Sequence, residues 1–325
     1  MATIPLTVLT GFLGSGKTTL LRHALADSAL AGTAVIINEF GTIGLDHDLI
    51  ESAEEDLVAL TTGCLCCAVR GDLTRTISEL LGRREKGEIQ FERLMVETSG
   101  LADPAPIVQG LALDDDLRGL VSLERMVVTL DAVNGPAVLG EYREAQKQIA
   151  FADAVIVTKT DLADAAPAID AASTLNPRTT FTASASGRID TSLLLPPPDA
   201  NASLARWLEL AGNGEAEHTE GISSISLVRS EPVQAIALTL FLEALAEACG
   251  PDLLRVKGLV QIAEAPETPA VVHGVQHVFH PLDWLERWPS ADRRTRLVLI
   301  GRNLLPGWPR LLLNEIEREV HAAED

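Results

Sequence analysis

Residues 11 to 19 read Gly-Phe-Leu-Gly-Ser-Gly-Lys-Thr-Thr, a complete G-x-x-x-x-G-K-[ST] run. Few short patterns restrict a fold so tightly. Glycines at this spacing let the backbone curl until its N–H groups face phosphate oxygens. The lysine reaches the β- and γ-phosphates, and the following hydroxyl reaches Mg²⁺. Such a loop has to sit between a strand and a helix, and both flanks comply. Residues 4 to 10 (Ile-Pro-Leu-Thr-Val-Leu-Thr) form a β-branched, apolar run suited to a buried parallel strand. From Thr18 to Leu30, the residues Leu20, Leu21, Ala24 and Leu25 recur at helical spacing, and the N-terminus of that helix would face the phosphates. Gly11, Gly14, Ser15, Gly16, Lys17, Thr18 and Thr19 are therefore the expected contacts to a nucleoside triphosphate. Lys17 and Thr18 also count among the expected catalytic groups.

The alternation continues downstream. Strands are expected at 3–10, 34–38, 57–60, 93–97, 125–131 and 154–158, and helices at 18–30, 73–84, 105–112 and 140–150. This is the pattern of an α/β domain with a mostly parallel sheet covered on both faces. The pattern breaks near Pro196-Pro197-Pro198, and residues 212 to 221 are polar and glycine-containing. We read 1–195 as a P-loop domain, 196–221 as a linker and 222–325 as a smaller C-terminal α+β domain. The latter has strands expected at 222–228, 253–262, 270–279 and 296–300, with helices at 233–248 and 309–320.

Composition narrows the function classes. The chain has 325 residues, enough for two cored domains, and a net charge of −20. That charge argues against a nucleic-acid scaffold, which needs clustered Lys and Arg. No apolar stretch approaches a membrane span, and no secretory leader pattern opens the sequence, so a cytoplasmic location is expected. Three of the four cysteines fall within four positions, which is no disulfide framework.

Two further motifs define the nucleotide. Residues 95 to 100 read Met-Val-Glu-Thr-Ser-Gly after an apolar run. Glu97 at that strand end can hold Mg²⁺ directly or through water, and the Gly100 N–H can meet the γ-phosphate. Asp46 is a second carboxylate that could approach the magnesium. Residues 158 to 161 read Thr-Lys-Thr-Asp, matching the [NT]-K-x-D guanine-reading pattern. The Asp161 carboxylate can accept from both N–H groups on guanine's Watson–Crick edge, which adenine cannot satisfy. The Lys159 stem can lie along the base, and Thr158 stands where many GTPases carry asparagine. GTP is therefore expected over ATP, with Ser184-Ala185 as a second base-contacting segment. Leu101 occupies the place where Ras-like enzymes orient the attacking water with glutamine, so slow intrinsic hydrolysis is expected.

A separate chemistry lies between these motifs. Cys64, Cys66 and Cys67 occur in Thr-Gly-Cys-Leu-Cys-Cys, which reads as a loop before the helix at 73. Three thiolates can converge on one soft ion, and zinc wants a fourth ligand, for which Glu39 is a candidate. An incomplete set suits transfer better than a structural site; a redox switch is the alternative. Cys249 closes an apolar helix and reads as packing. On an extended strand His273 and His277 would stand about 13 Å apart, and His280 would point the other way, so co-ligation from one strand is not expected. His218 reads as a lone linker residue.

Taken together, GFLGSGKTT, NEFG, GCLCC, ETSGLADP and TKTD, with the later RVKG and HGVQHVF, resemble the CobW-type family of P-loop GTPases. These are relatives of the urease and hydrogenase maturation GTPases. The resemblance covers nearly the whole chain. It implies an N-terminal GTPase domain, a smaller C-terminal domain, zinc or sometimes cobalt at the cysteines, and delivery of metal to client metalloproteins. Many such relatives carry a histidine-rich tract near the linker, and this chain has only His218 there. The expectation is thus a Mg²⁺-dependent GTPase and zinc metallochaperone. A cobalt chaperone for cobalamin synthesis or nitrile hydratase activation, and a redox-sensing regulatory GTPase, stand as alternatives. Expected partners are GTP, a transition metal ion and a client metalloprotein, with self-association left open and neither nucleic acid nor membrane involved.

Overall fold

The computed structural model describes residues 3–38, 58–59, 65–69, 73–177, 179–195, 222–279 and 282–324. The chain divides into two compact units, Met1–Ala172 with Thr179–Pro198, and Ser173–Arg178 with Asp199–Asp325.

The first unit is an eight-stranded sheet. Its strands are β1 (Ile4–Gly11), β2 (Thr33–Asn38), β3 (Val58–Ala59), β4 (Leu65–Val69), β5 (Arg93–Thr98), β6 (Val121–Asp131), β7 (Ala154–Thr158) and β8 (Thr180–Ala183). They lie in the order β3-β4-β2-β5-β1-β6-β7-β8. Neighbours are parallel except β3 against β4. Around it run α1 (Lys17–Ala24), α2 (Leu73–Glu85), α3 (Ala105–Leu113), α4 (Gly135–Glu141), α5 (Arg143–Phe151) and α6 (Ala166–Leu175). A parallel sheet with helical crossovers buries both faces, so its central strands read as unbroken apolar runs. Leu6, Val8 and Leu9 of β1 and Val155, Ile156 and Val157 of β7 are fully buried. Leu20, Leu21 and Ala24 carry α1 onto Leu9, Val35, Met95, Val127 and Ile156.

Local differences from the sequence reading have physical causes. The helix expected at 18–30 ends at Ala24, and a 3₁₀ turn at Ser28–Leu30 follows, with the Asp27 carboxylate accepting from the Ala29 N–H. The single helix expected at 140–150 is two. Tyr142 between them is extended (φ −109°, ψ 118°), and its ring packs 4.7 Å from that of Phe12. Strand β8 lies at the sheet edge with no buried residue, and is too short for a period to show.

The second unit is antiparallel. Its strands are β9 (Ile222–Arg229), β10 (Leu253–Ile262), β11 (Ala265–Val275), β12 (Val278–Phe279), β13 (Asp283–Trp284) and β14 (Thr295–Arg302). The order is β12-β11-β10-β14-β9, with β13 also on β11. Helices α7 (Ala235–Cys249) and α8 (Trp308–Glu324) supply Leu238, Phe241, Leu245 and Leu313 to a core shared with Ile225, Val256, Val272 and Leu299. Arg229 and Glu317, both mostly shielded, pair at 2.6 Å and tie β9 to α8. Cys249 packs partly buried against this core, and burial, reinforced by the nearby Asp252 charge, pushes its thiol pKa up. The strand expected at 270–279 is a hairpin, turning at Gln276 (φ 53°) and His277 before β12. His273 therefore stays on β11 while His277 occupies the turn. His280 lies outside the described residues, as do His218 and the whole of the expected 196–221 linker.

Candidate nucleotide-binding site

All the nucleotide motifs sit at the C-terminal ends of parallel strands, where open α/β sheets gather their ligands. At the end of β1 the chain turns through Gly16 (φ 90°), the residue just before α1. Few side chains tolerate that left-handed backbone, so glycine is required there. Lys17 opens the helix, folds back, and donates from Nζ to the carbonyl oxygens of Gly11 at 2.8 Å and Phe12 at 3.3 Å. It is 8% exposed, so an ammonium is held within the loop that would wrap the phosphates.

Strand β5 lies beside β1 with Leu9 opposite Glu97. This register brings the Thr18 hydroxyl to Glu97, donating from Oγ1 to Oε1 at 2.6 Å. Glu97 is 1% exposed. A hydroxyl and a carboxylate held at that distance are the hard oxygen donors that Mg²⁺ prefers, so this chain's residues fit the ion. Gly100 follows, pressed against the loop: a Cβ there would come within 2.7 Å of the Leu13 N and 2.8 Å of its Cα. No side chain can be added without moving the backbone of one loop or the other. Ser15 stands in the phosphate loop and Thr19 in the first turn of α1, and the Ser15 hydroxyl shares a buried 2.7 Å hydrogen bond with Thr129 of β6.

The base-side motif leaves β7. Thr158 donates from Oγ1 to the Ser15 carbonyl oxygen at 2.7 Å, which ties this loop to the phosphate loop. A hydroxyl thus makes the loop-to-loop bond, and the position takes part through the backbone it holds. Lys159 adopts a left-handed backbone (φ 58°), and its Nζ lies 2.6 Å from Asp131 Oδ2. Asp131 also accepts from Asn134 Nδ2 at 3.0 Å and from the Val133 N–H at 2.8 Å. Burial alone would raise its pKa, but these donors outweigh burial and hold it below the ordinary carboxylate value. Asp161 Oδ1 accepts from the Ser186 N–H at 2.9 Å, and Ser184 donates its N–H to the Val157 carbonyl at 2.7 Å. The 184–187 segment is thereby anchored beside Asp161.

Asp131 and Thr129 went unnoticed in the sequence. Asp131 ends an apolar strand and Thr129 stands two residues before it, and polar residues closing such a run were the available signal.

The thiol motif differs from its sequence reading. Cys66 and Cys67 lie in β4 rather than in a loop, at the register positions of Val35 and Ile36 on β2, with Val58 opposite Cys66. The surrounding apolar residues, Leu65, Ala68 and Val69, extend the run into a strand. Cys64, Glu39 and Asp46 lie outside the described residues. Among the described residues no group of three or more His, Cys, Asp or Glu side chains is placed to hold a metal ion. None of their helices is long and apolar enough to cross a membrane.

A phosphate loop, an acidic strand end and a base-reading loop on adjoining parallel strands define a P-loop nucleotide-binding protein. Residues 5–182 match the family model of the CobW/HypB/UreG nucleotide-binding domain, and 222–316 that of the cobalamin synthesis protein CobW C-terminal domain. The zinc chaperone YjiA of Escherichia coli is 33% identical over 94% of this chain and 96% of its own. The zinc chaperone CobW of a Sinorhizobium species is 29% identical over 92% of both. The crystal structure of Zn(II)-bound YjiA GTPase from E. coli superposes with a TM-score of 0.73 at 30% identity, covering 97% of this chain and 99% of that one. The chain belongs to the CobW/HypB/UreG family.

Proposed function

We propose that this protein is a GTP-hydrolysing zinc metallochaperone that delivers its metal to client metalloproteins. The observation that carries the reading is the joining of two loops by Thr158. Its hydroxyl binds the Ser15 carbonyl of the phosphate loop, and beside it Lys159 is held by Asp131 and Asp161 by the Ser186 N–H. The zinc part rests on the Cys64, Cys66 and Cys67 motif together with family relatives named as zinc chaperones.

In this reading Gly11, Gly14, Ser15, Gly16 and Thr19 present the phosphate loop, and Lys17 holds the β- and γ-phosphates. Thr18 and Glu97, with Asp46, hold Mg²⁺, which when bound neutralises charge developing on the phosphates. Gly100 offers its N–H to the γ-phosphate, and Asp161 reads the guanine edge. Leu101, 55% exposed, supplies no group to orient water, so unaided turnover is slow, below roughly 1 s⁻¹. Zinc is cargo, held by the three cysteines with Glu39. GTP orders the segments around the third phosphate and tightens the thiolates; hydrolysis loosens them and allows transfer. The setting is cytoplasmic.

The test pairs two titrations on the full chain. GTP should bind at least about tenfold more tightly than ATP, since adenine leaves the Asp161 carboxylate unsatisfied. Zinc held against a chelator should be lost in Cys66→Ser. Equal affinity for both nucleotides, or zinc retention in the variant, would overturn the reading.

A further inference from the structure

The site described so far ends at Gly100, but what sets the direction of Gly100 lies behind it. Helix α5 approaches this loop with its inner face. Gln148 is 1% exposed, and its Nε2 donates to the carbonyl oxygens of Gly100 at 3.3 Å and Ala102 at 3.1 Å. One residue earlier on α5, Lys147 pairs with Asp103 of the same loop. At the head of the helix the Tyr142 ring packs on Phe12 of the phosphate loop. Beyond α5 the chain runs through Ala152 and Asp153 into β7, where the Asp153 carboxylate accepts from the Met126 N–H and the strand ends at Thr158. One continuous segment, 142–161, therefore touches the phosphate loop, the loop after β5 and the base loop.

The chemistry of Gln148 is unlike that of a packing residue. Its Oε1 is buried and has no hydrogen-bond partner among the described residues. A leucine would fill the same space without an unpaired acceptor, which is costly to bury. The carboxamide makes sense if its donor half is needed. Two bonds from one Nε2 fix the peptide planes that follow Gly100 and Ala102. The Ala102 N–H in turn donates to the Ser99 carbonyl oxygen at 3.1 Å, and that carbonyl shares its peptide plane with the Gly100 N–H, so holding this turn sets where the Gly100 N–H points.

We propose that Gln148 is a positioning residue for GTP hydrolysis: by clamping the Gly100 and Ala102 carbonyls it aims the Gly100 N–H at the γ-phosphate, and so couples α5 to the presence of the third phosphate. The proposal rests on the GTPase reading of the site. Gln148 touches no substrate; its effect is carried by Gly100. Lys147 and Asp103 hold the far end of the same loop in register. Because GDP lacks the γ-phosphate, the clamp contributes to binding of the triphosphate and to turnover, and leaves diphosphate binding alone.

The experiment compares wild type with Gln148→Leu, and with Lys147→Ala in case the buried substitution fails to fold. Affinities for GDP and for a non-hydrolysable GTP analogue, and kcat and KM for GTP, are measured with Mg²⁺ present, with thermal unfolding alongside. For Gln148→Leu the expected result is a kcat lowered on the order of tenfold or more, since small misplacements near a reacting centre are amplified in rate. The GTP analogue is weakened relative to GDP, and GDP affinity stays within about twofold. Lys147→Ala changes the same ratio in the same direction by a smaller factor. Equal weakening of both nucleotides, or an unchanged kcat in a folded variant, would make the clamp a mere strut and overturn the proposal. A wild-type protein with no GTP turnover overturns both this proposal and the reading of the site. Wild-type turnover with an unaffected Gln148→Leu overturns this proposal alone.

Discussion

The two sheets of this molecule are assembled by opposite rules, and chemistry collects on one of them. In the first unit β1, β5, β6 and β7 run parallel, so their C-terminal ends arrive together. Gly11, Glu97, Asp131 and Thr158 sit within the last residues of those four strands. A polar residue at one strand end meets a polar residue in the segment that leaves its neighbour, as in the Glu97–Thr18 and Asp131–Lys159 contacts. In the second unit neighbours alternate in direction, so strand ends scatter. What its strands share is a face, and that face meets α7 and α8 through apolar side chains. Parallel order concentrates function at one edge; antiparallel order here supplies a core.

Each expected outcome strains that contrast at a different place. Phe241→Ala, fully buried in the second core, should cost about 3–5 kcal/mol in denaturant unfolding of that unit. It should leave the GDP affinity of folded protein unchanged, and a matching loss of nucleotide would break the division. Lys17→Ala should do the reverse: kcat for GTP falls on the order of 10²-fold or more with unfolding nearly unchanged. Asp161→Asn should erase about 1–3 kcal/mol of guanine preference, seen as convergence of GTP and ATP affinities. Thr158→Val removes the donor to the buried Ser15 carbonyl, and should cost about 1–2 kcal/mol of stability while weakening GTP and GDP alike. A selective loss of GTP would shift Thr158 from tether to sensor.

The smallest effect belongs to the second unit. Asp292 has its pKa lowered to about 2, first by the hydrogen bond from the Arg294 side chain and further by the Arg294 N–H and the Arg296 and Arg294 charges. A depressed carboxylate adds stability that is complete above its ordinary value of 3.8 and is lost as pH falls toward about 2. The pair is partly exposed, so the gain is under about 1 kcal/mol. Asp292→Asn should remove that gain, lowering the urea midpoint slightly near neutrality, and its difference from wild type should vanish as pH falls from 3.8 toward about 2.

Legibility in the sequence followed the same contrast. The phosphate loop, the 93–98 strand end and the base loop were readable because each packs glycines, charge and an apolar strand into a few adjacent positions. Asp131 was not, because its meaning depends on Lys159, brought close only by the β6–β7 pairing. Gln148 was hidden too: a polar residue in a helix reads as surface until the Gly100 loop is seen against it. The break at Tyr142 escaped because a run of helix formers carries no mark of an aromatic contact with Phe12. Cys66 and Cys67 were read as loop residues because Gly63 and three thiols outweighed the Leu65–Val69 run. Tertiary pairing with β2 reversed that. In the second unit the 270–279 strand hid a turn, since Gln276 and His277 lie between Val275 and Val278.

The account stands on coupling between nucleotide and metal. Zinc affinity is to be measured by chelator competition with Mg²⁺ and a non-hydrolysable GTP analogue, and again with Mg²⁺ and GDP. Tighter zinc with the GTP analogue, matched by an equal tightening of the analogue by zinc, is the predicted result. Equal zinc affinity in the two nucleotide states would contradict it.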